Sequence, residues 1–375
     1  MRSTPCVAAL VLAGFVAGGS VSAQEEQEKQ RSTKLSGDFR FRLENDWDSR
    51  RADGTDRQDR LRARIRARLA FSYDPPRPFA LGLRIRTGSK DSQQSPHITI
   101  RDFDDNPEGD RDVVLDKWFV RFSGQQYSVS VGRSSFPFWK QDELFWDDDV
   151  TPAGVAYRHE FGGGKLAAHL GYFALPDGMS RFNGQLAGGQ IVYTAKADRV
   201  TFTGAGGVFV FDGEEGARNL RNRNGARDYT IGMVNLQAKF TAAGKRWILG
   251  IDLMQNGEDY DDEELAPFGP GNRDETDGFA TFARVGGLGK RGDWLLAYYY
   301  ARIEAFAVNA SFAQDDWVRW GSATQTDSSD LKGHEFRAGY ALTRKCNLLL
   351  RLYLVEAITT VQDGKRLRLD FNYKF

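Results

Sequence analysis

Residues 60–73 alternate between arginine and apolar residues almost without interruption. Drawn as a helix, these arginines would surround the whole cylinder, whereas a strand places all of them on one face. The same period of two, often weaker, recurs along the chain and predicts about sixteen strands. The predicted strands are 35–47, 60–73, 79–89, 112–123, 126–133, 154–161, 165–174, 187–196, 198–211, 229–241, 245–256, 278–289, 292–306, 333–342, 345–356 and 366–375. Strand 112–123 fits two phases, and we take the one that points Lys117 and Arg121 inward.

The connections between these strands alternate between long and short along the chain. Residues 48–58, 90–111 and 134–153 are long connections, whereas 74–78 and 123–125 are short. Long loops at one end and tight turns at the other are typical of a transmembrane barrel, and a soluble sandwich, the alternative, has no reason to keep that order. We therefore predict an all-β, transmembrane, antiparallel up-and-down β-barrel with both termini on the short-turn side.

The N-terminus predicts export from the cytoplasm. Residues 1–23 carry a positive start, an apolar stretch and small residues before a cleavage point, which is the pattern of a signal peptide. Residues 24–34 are polar and predict a flexible periplasmic lead-in, and 35–375 are predicted to form the barrel. Beyond the signal, no apolar stretch approaches the ~18 residues of a helical span. The predicted location is the outer membrane of a Gram-negative cell after cleavage of the signal.

The inward arginines are expected to form one continuous wall. The whole chain has 51 basic and 51 acidic residues, so the position of the charges matters more than their sum. Because barrel closure puts the last strand beside the first, the arginines of successive strands become neighbours. The predicted wall consists of Arg40, Arg42, Arg62, Arg64, Arg66, Arg68, Arg84, Arg86, Arg337, Arg351, Arg366 and Arg368. Such a wall favours anions, although pairing with Asp38, Glu44, Glu335 or Asp370 would reduce its charge.

The connection 134–153 combines acidic residues with an unusual number of aromatic ones. Its acids are Asp142, Glu143, Asp147, Asp148 and Asp149. We hypothesise that this loop folds into the barrel, narrows it and turns these acids towards the arginines. An extracellular loop with its own small aromatic cluster remains the alternative.

Six short segments of the mature chain follow one another in a recognisable order: 37–44, 83–89, 131–133, 136–138, 144–154 and 369–375. This order, which spans the mature chain, resembles that of the outer-membrane "putative porin" family, whose near relatives include phosphate-selective and alginate-export channels. It implies diffusion of solutes through a pore but assigns no particular solute. It also implies that the terminal aromatic residue, Phe375, is the signal read by the barrel assembly machinery.

We therefore expect a porin for passive diffusion of small hydrophilic solutes, with a preference for anions. An exporter or specific channel for an anionic oligosaccharide, polysaccharide or phosphate is one alternative. A plugged binding or adhesion barrel is another, and we disfavour it because many inward positions are Arg, Gly, Ser, Ala or Thr. The expected partners are outer-membrane lipid, lipopolysaccharide, the assembly machinery and the solutes, with a homotrimer as one arrangement and no nucleic acid.

Neither an enzyme nor a cofactor is predicted. The chain has no Gly-x-Ser-x-Gly motif, and no nucleophile motif accompanies His97, His159, His169 or His334. The acidic runs 102–110 and 258–264 do not have the spacing of a calcium-binding loop, so no metal site is predicted either.

Overall fold

The computed structural model describes residues 32–75, 78–213, 226–261, 268–320 and 328–375. The predicted signal peptide and most of the predicted lead-in lie outside these ranges. Within them, the chain forms sixteen long antiparallel strands, β1 to β16, each paired with the next along the chain. They are Ser32–Trp47, Arg60–Asp74, Phe79–Gly88, Asp112–Ser123, Tyr127–Arg133, Ala153–Phe161, Leu166–Asp177, Arg181–Ala197, Val200–Asp212, Tyr229–Ala242, Lys245–Asn256, Asp277–Gly286, Trp294–Ile303, Leu331–Ala341, Cys346–Ala357 and Asp363–Lys374. No helix among the described residues is long and apolar enough to cross a membrane.

The sheet closes on itself. Strand β16 pairs with β1 from Asp38–Lys374 to Trp47–Lys365, so the first and last strands leave no free edge. Closure satisfies backbone N–H and C=O groups that would find no water in a bilayer. The prediction of a closed antiparallel barrel of about sixteen strands is therefore confirmed.

A short strand completes the wall where β2 extends beyond β3. Strand β3 pairs with β2 only between Arg68 and Tyr73. Towards the long-loop end, β2 pairs instead with Ile98–Asp102, a short strand in the connection 89–111. This connection therefore forms part of the barrel wall as well as a loop.

The alternation places apolar side chains on the outside of the barrel. Leu83, Leu170 and Val208 are typical, with about half of each side chain exposed: 48%, 56% and 52%. The intervening residues point inward, and Arg42, Arg86 and Asp370 among them are buried. A lipid-facing surface and an enclosed polar surface therefore alternate along the strands, as in outer-membrane barrels.

A β-bulge explains the ambiguous phase of β4. Arg84 pairs with Lys117, but the next residue, Ile85, pairs with Leu115, so Asp116 is an extra residue. Asp116 is fully buried and pairs with the inward Arg84, and Lys117 lies directly opposite Arg84 in the strand register, so both side chains are on the inner face. The alternation thus shifts by one residue at the bulge, and each of the two phases fits one half of the strand.

The long and short connections keep to opposite ends of the barrel. The short-turn end holds the connections 75–78, 124–126, 162–165, 198–199, 243–244, 287–293 and 342–345. The other end holds 48–59, 89–111, 134–152, 178–180, 213–228, 257–276, 304–330 and 358–362. The connection expected at 175–186 is much shorter than predicted, because β7 and β8 continue into a tight hairpin around 178–180.

Replacing Leu83 in the middle of β3 by Arg is expected to lower the free energy of unfolding in lipid vesicles by about 2–4 kcal/mol, because a charge near the bilayer midplane faces hydrocarbon. Phe79→Arg is the matched control, since Phe79 is the first residue of the same strand and also points outward. Near the interface the same change costs about 0–1 kcal/mol. Guanidinium titrations of the two refolded variants measure the decrease in the free energy of unfolding for each. Equal decreases would contradict a lipid-facing β3.

Candidate functional site

The connection 134–152 lies inside the barrel. Its residues Phe138, Phe145 and Trp146 are buried, with relative exposures of 5%, 3% and 0%. The Phe145 ring lies 4.9 Å from that of Phe209, an inward residue of β9. The inward position Gly188 leaves room for the loop, because a Cβ atom there would approach the Phe138 ring to 2.7 Å. The loop therefore occupies the lumen, and its effect on ion passage stays a prediction.

The described residues of a second connection, 304–320 and 328–330, also lie in the lumen, and the sequence analysis missed this. The rings of Phe312 and Trp146 stack at 5.4 Å, so the two loops pack against each other. The Asp147 backbone N–H donates to the Phe312 carbonyl at 2.8 Å. The signal that the sequence offered for a loop inside the barrel was the presence of aromatic residues, as in the connection 134–152. Trp317 and Trp320 are two of them, and both are buried.

One side of the lumen is apolar, whereas the sequence analysis took the many Arg, Gly, Ser, Ala and Thr residues at inward positions as evidence against large apolar residues there. Strands β7 to β15 contribute a buried cluster that surrounds the two loops. Its large inward members include Phe173, Leu175, Leu186, Phe209, Phe211, Tyr229, Ile231, Phe282, Tyr299 and Tyr353. The expectation was wrong there because segments such as 208–211 are apolar on both faces, so alternation does not reveal an apolar inner face.

The predicted arginines line the other half of the lumen and are extensively paired. The Arg42 Nε donates to Asp370 at 2.7 Å, and the Arg66 guanidinium donates to Asp38 at the same distance. The acids that contact these arginines from the barrel strands are Asp38, Glu44, Asp46, Asp116, Glu335 and Asp370. Buried charges are stable only when paired in this way, so much of the wall is an ion-pair network.

Two cavities run beside the wall. The outer cavity, of about 420 Å³, lies towards the long loops and is bordered by Arg62, Arg64 and Arg366. The inner cavity, of about 330 Å³, lies towards the short turns and is bordered by five arginines. These are Arg40, Arg42, Arg66, Arg68 and Arg351. Both cavities are bordered by Asp315 and Asp316 of the connection 304–330, and we call this shared boundary the neck.

Four of the predicted arginines border neither cavity. Arg84 pairs with Asp116 at 2.5 Å. Arg86 is 1% exposed and donates to the Ser92 carbonyl at 3.0 Å, so the connection 89–111 covers it. Arg337 lies over the Tyr299 ring. The remaining predicted member, Arg368, is also buried and is paired with both Asp316 and Asp370.

Of the five predicted loop acids, Asp149 contacts the arginine wall most directly. Its carboxylate lies 2.7 Å from Arg68 and 3.7 Å from Arg66. Burial alone would raise the pKa of Asp149, but these guanidinium groups hold it well below its usual range. Asp148 instead pairs with Lys140 at 2.5 Å.

The other three loop acids lie in less favourable surroundings. Burial, together with the nearby Asp148, raises the pKa of Glu143 to about 8. Burial and the charge of Glu143 also raise the pKa of Asp147 well above its usual value. Asp142 accepts a hydrogen bond from the Leu144 N–H at 2.9 Å rather than from an arginine. The loop therefore brings one ionised carboxylate, that of Asp149, to the wall.

The two acids at the neck differ sharply. Asp316 pairs with Arg368 and lies 3.6 Å from Arg42 and 3.8 Å from Arg351. Asp315 forms no hydrogen bond or ion pair with any described part of the chain. Burial and the adjacent Asp316 raise the pKa of Asp315 to about 6, despite the favourable charges of Arg64 and Arg42.

Phe375 lies at the short-turn end of the barrel. Its backbone exchanges hydrogen bonds with that of Gly37 at 3.0 and 3.2 Å. Its ring is 49% exposed and lies 6.2 Å from that of Tyr373. An aromatic C-terminus is thus accessible on the outer surface, and its reading by the assembly machinery stays a prediction.

Residues 53–211 match the family described as "Putative porin". The resemblance to this family is confirmed over that segment. No curated protein matches the chain. The barrel is similar to that of OprB from Pseudomonas putida, with a TM-score of 0.58 and 11% identity over 92% of this chain and 94% of that one.

Two other solved structures resemble the fold. One is Salmonella typhi OmpF, solved in complex with daunomycin, with a TM-score of 0.56 and 11% identity over 92% of this chain and 98% of that one. The other is Acinetobacter baumannii OccAB4, with a TM-score of 0.51 and 10% identity over 93% of this chain and 100% of that one. At these identities, the structures show that the chain shares the barrel fold of outer-membrane porins.

We expect Asp149→Asn to raise the ratio of chloride to potassium permeability roughly threefold. That factor corresponds to about 0.7 kcal/mol, the Coulomb energy of a unit charge about 6 Å away in water. Reversal potentials in a KCl gradient measure the ratio. Asp48→Asn is the control, because that carboxylate is 69% exposed, pairs with Lys365 and borders neither cavity. Equal shifts in the two variants would contradict a special role for Asp149.

Chloride preference is expected to rise as the pH falls from 7.5 to 5, with a midpoint of about 6, because Asp315 then loses its negative charge. His97 is not expected to titrate in this window, since burial and nearby arginines hold its pKa well below the usual value. Asp315→Asn should abolish the transition, whereas Asp149→Asn should keep it. A transition that persists in Asp315→Asn would assign it to another group.

Proposed function

We propose that the chain is an outer-membrane porin through which small hydrophilic solutes diffuse passively, with a preference for anions. The excess of arginine over acid beside the two cavities carries the proposal. Among the residues that border the two cavities taken together, twelve are arginines and eight are acids. Basic residues along a pore favour anions, and apolar surroundings strengthen their field.

The cavity sizes favour small solutes over polymers. Volumes of about 420 and 330 Å³ lie near the lower end of the ~300–1,000 Å³ typical of small-molecule sites. A polysaccharide chain would have to pass the neck, where Asp316 is fixed by Arg42, Arg351 and Arg368. These dimensions favour passive diffusion of small molecules over export of an anionic polymer.

The route to the membrane is part of the same proposal. Residues 1–23 would be removed after export, and the assembly machinery would read Phe375. The outward apolar face would then contact lipid and lipopolysaccharide, and three copies could associate as a trimer.

A plugged binding barrel is the second candidate, because the apolar cluster and two loops fill half of the lumen. The two candidates differ in conductance. Single-channel recording of the refolded mature chain in a planar bilayer, with a KCl gradient, tests both. Steady conductance with a reversal potential favouring chloride supports the porin, whereas no conductance from a folded barrel supports the plugged one.

Two variants connect the expected selectivity to the wall. Arg64→Gln removes a charge that borders the outer cavity and should lower chloride preference. Arg121→Gln is the matched control, because Arg121 donates to Ser130 near the short-turn end and borders neither cavity. A chloride preference that is unchanged in Arg64→Gln would count against the wall as its source.

A further inference from the structure

Not every charged group at the neck has an ion-pair partner among the described residues. Of the three loop acids that approach the arginines, Asp149 and Asp316 are held in ion pairs. Asp315 borders both cavities and forms no hydrogen bond or ion pair with the described residues. A carboxylate at this position is available to a solute that passes from one cavity to the other.

Two arginines that each border a cavity together with Asp315 are also incompletely paired. The nearest carboxylate to Arg64 is that of Glu44 at 3.6 Å, and Glu44 has a closer partner in Arg62. Within the described part of the chain, the Arg64 guanidinium otherwise donates only to the Ser95 hydroxyl at 3.2 Å and to the His97 carbonyl at 3.5 Å, and its Nε has no hydrogen-bond partner. Arg64 and Asp315 border the same outer cavity.

Arg40 borders the inner cavity and is also incompletely paired. Its Nε donates to the Asn372 amide oxygen at 2.7 Å, and its nearest carboxylate, that of Asp370, is 3.9 Å away. Asp370 is engaged more closely by Arg42. Arg40 and Asp315 border the same inner cavity, so each cavity presents a basic group and the Asp315 carboxylate.

We propose that the neck binds small zwitterions that carry a carboxylate and an ammonium group a few bonds apart, such as neutral α-amino acids. Arg64 receives the carboxylate on the outer side and Arg40 on the inner side, while Asp315 receives the ammonium group. This assignment names the solute class of the porin proposed above and rests on that proposal.

The charges explain why a zwitterion is favoured over a simple ion. An anion is attracted by the arginines but repelled by the negative charge of Asp315. A cation is attracted by Asp315 but repelled by the arginines. A zwitterion places its carboxylate beside an arginine and its ammonium group beside Asp315, so neither of its charges is next to a group of the same sign. Because a pore site must also release its solute, the binding is weak and appears as saturable uptake.

Uptake into proteoliposomes tests the proposal with solutes of matched shape at pH 7.5. Alanine is the zwitterion, lactate replaces its ammonium group by a hydroxyl, and alaninol replaces its carboxylate by a hydroxymethyl group. Arabinose reports an open pore, and protein-free liposomes give the leak to be subtracted. At low concentration, alanine should enter at least about threefold faster than lactate or alaninol, the size expected for one partly solvated ion pair.

Three variants assign the charges. Asp315→Asn should remove the advantage of alanine over lactate without slowing lactate. Arg64→Gln should slow both alanine and lactate. Asp59→Asn, the matched control, removes an equal charge from an exposed residue of the outer cavity and should retain the wild-type order. Heat-modifiable migration on gels confirms that each variant is folded.

The outcomes separate this inference from the porin function. If arabinose and chloride pass while alanine shows no advantage, or if the advantage survives in Asp315→Asn, the zwitterion site is overturned and the porin function is retained. If no solute enters through the folded wild-type barrel, the porin function fails, and the zwitterion site fails with it.

Discussion

In the hydrocarbon core of a membrane no water is available to the backbone, so every strand N–H and C=O must find its partner within the protein. The pairing of β16 with β1 meets this requirement around the barrel. Where β3 ends early, Ile98–Asp102 takes its place beside β2. Once the wall is closed, each strand has one face towards lipid and one towards the lumen. The alternation of the sequence follows directly from that division.

Closure of sixteen strands creates a second constraint, because a barrel of this width is too large for the side chains of its own wall to fill. The connections 134–152 and 304–330 supply the missing volume and pack on inward aromatic residues such as Phe209 and Phe211. This apolar half of the lumen holds the loops in place. It thereby positions Asp149, Asp315 and Asp316 opposite the arginines of the other half.

The sequence predicted the barrel and the arginine wall because both depend on a local period of two, which residues 60–73 show most clearly. It left β4 ambiguous because a bulge at Asp116 shifts the phase within one strand. It missed the connection 304–330 because the burial of Phe312 depends on Trp146, a residue far away along the chain. It also missed the apolar half of the lumen, since 208–211 is apolar on both faces. The aromatic residues of a loop are visible in the sequence, but the distant residues on which they pack are not.

The paired and unpaired charges of the lumen have different consequences. Arg42 and Asp370 are almost completely buried, and removing either one would leave its partner as an uncompensated charge in a dry environment. Pairs of this kind hold strands and loops together, and their charges largely cancel as seen by a passing solute. For the porin proposed above, selectivity then depends on the few groups whose charge is not cancelled: Asp315 at the neck, Arg64 beside the outer cavity and Arg40 beside the inner one. The fully paired arginines of the wall thus act mainly as a rigid frame, whereas its incompletely paired members act on the solute.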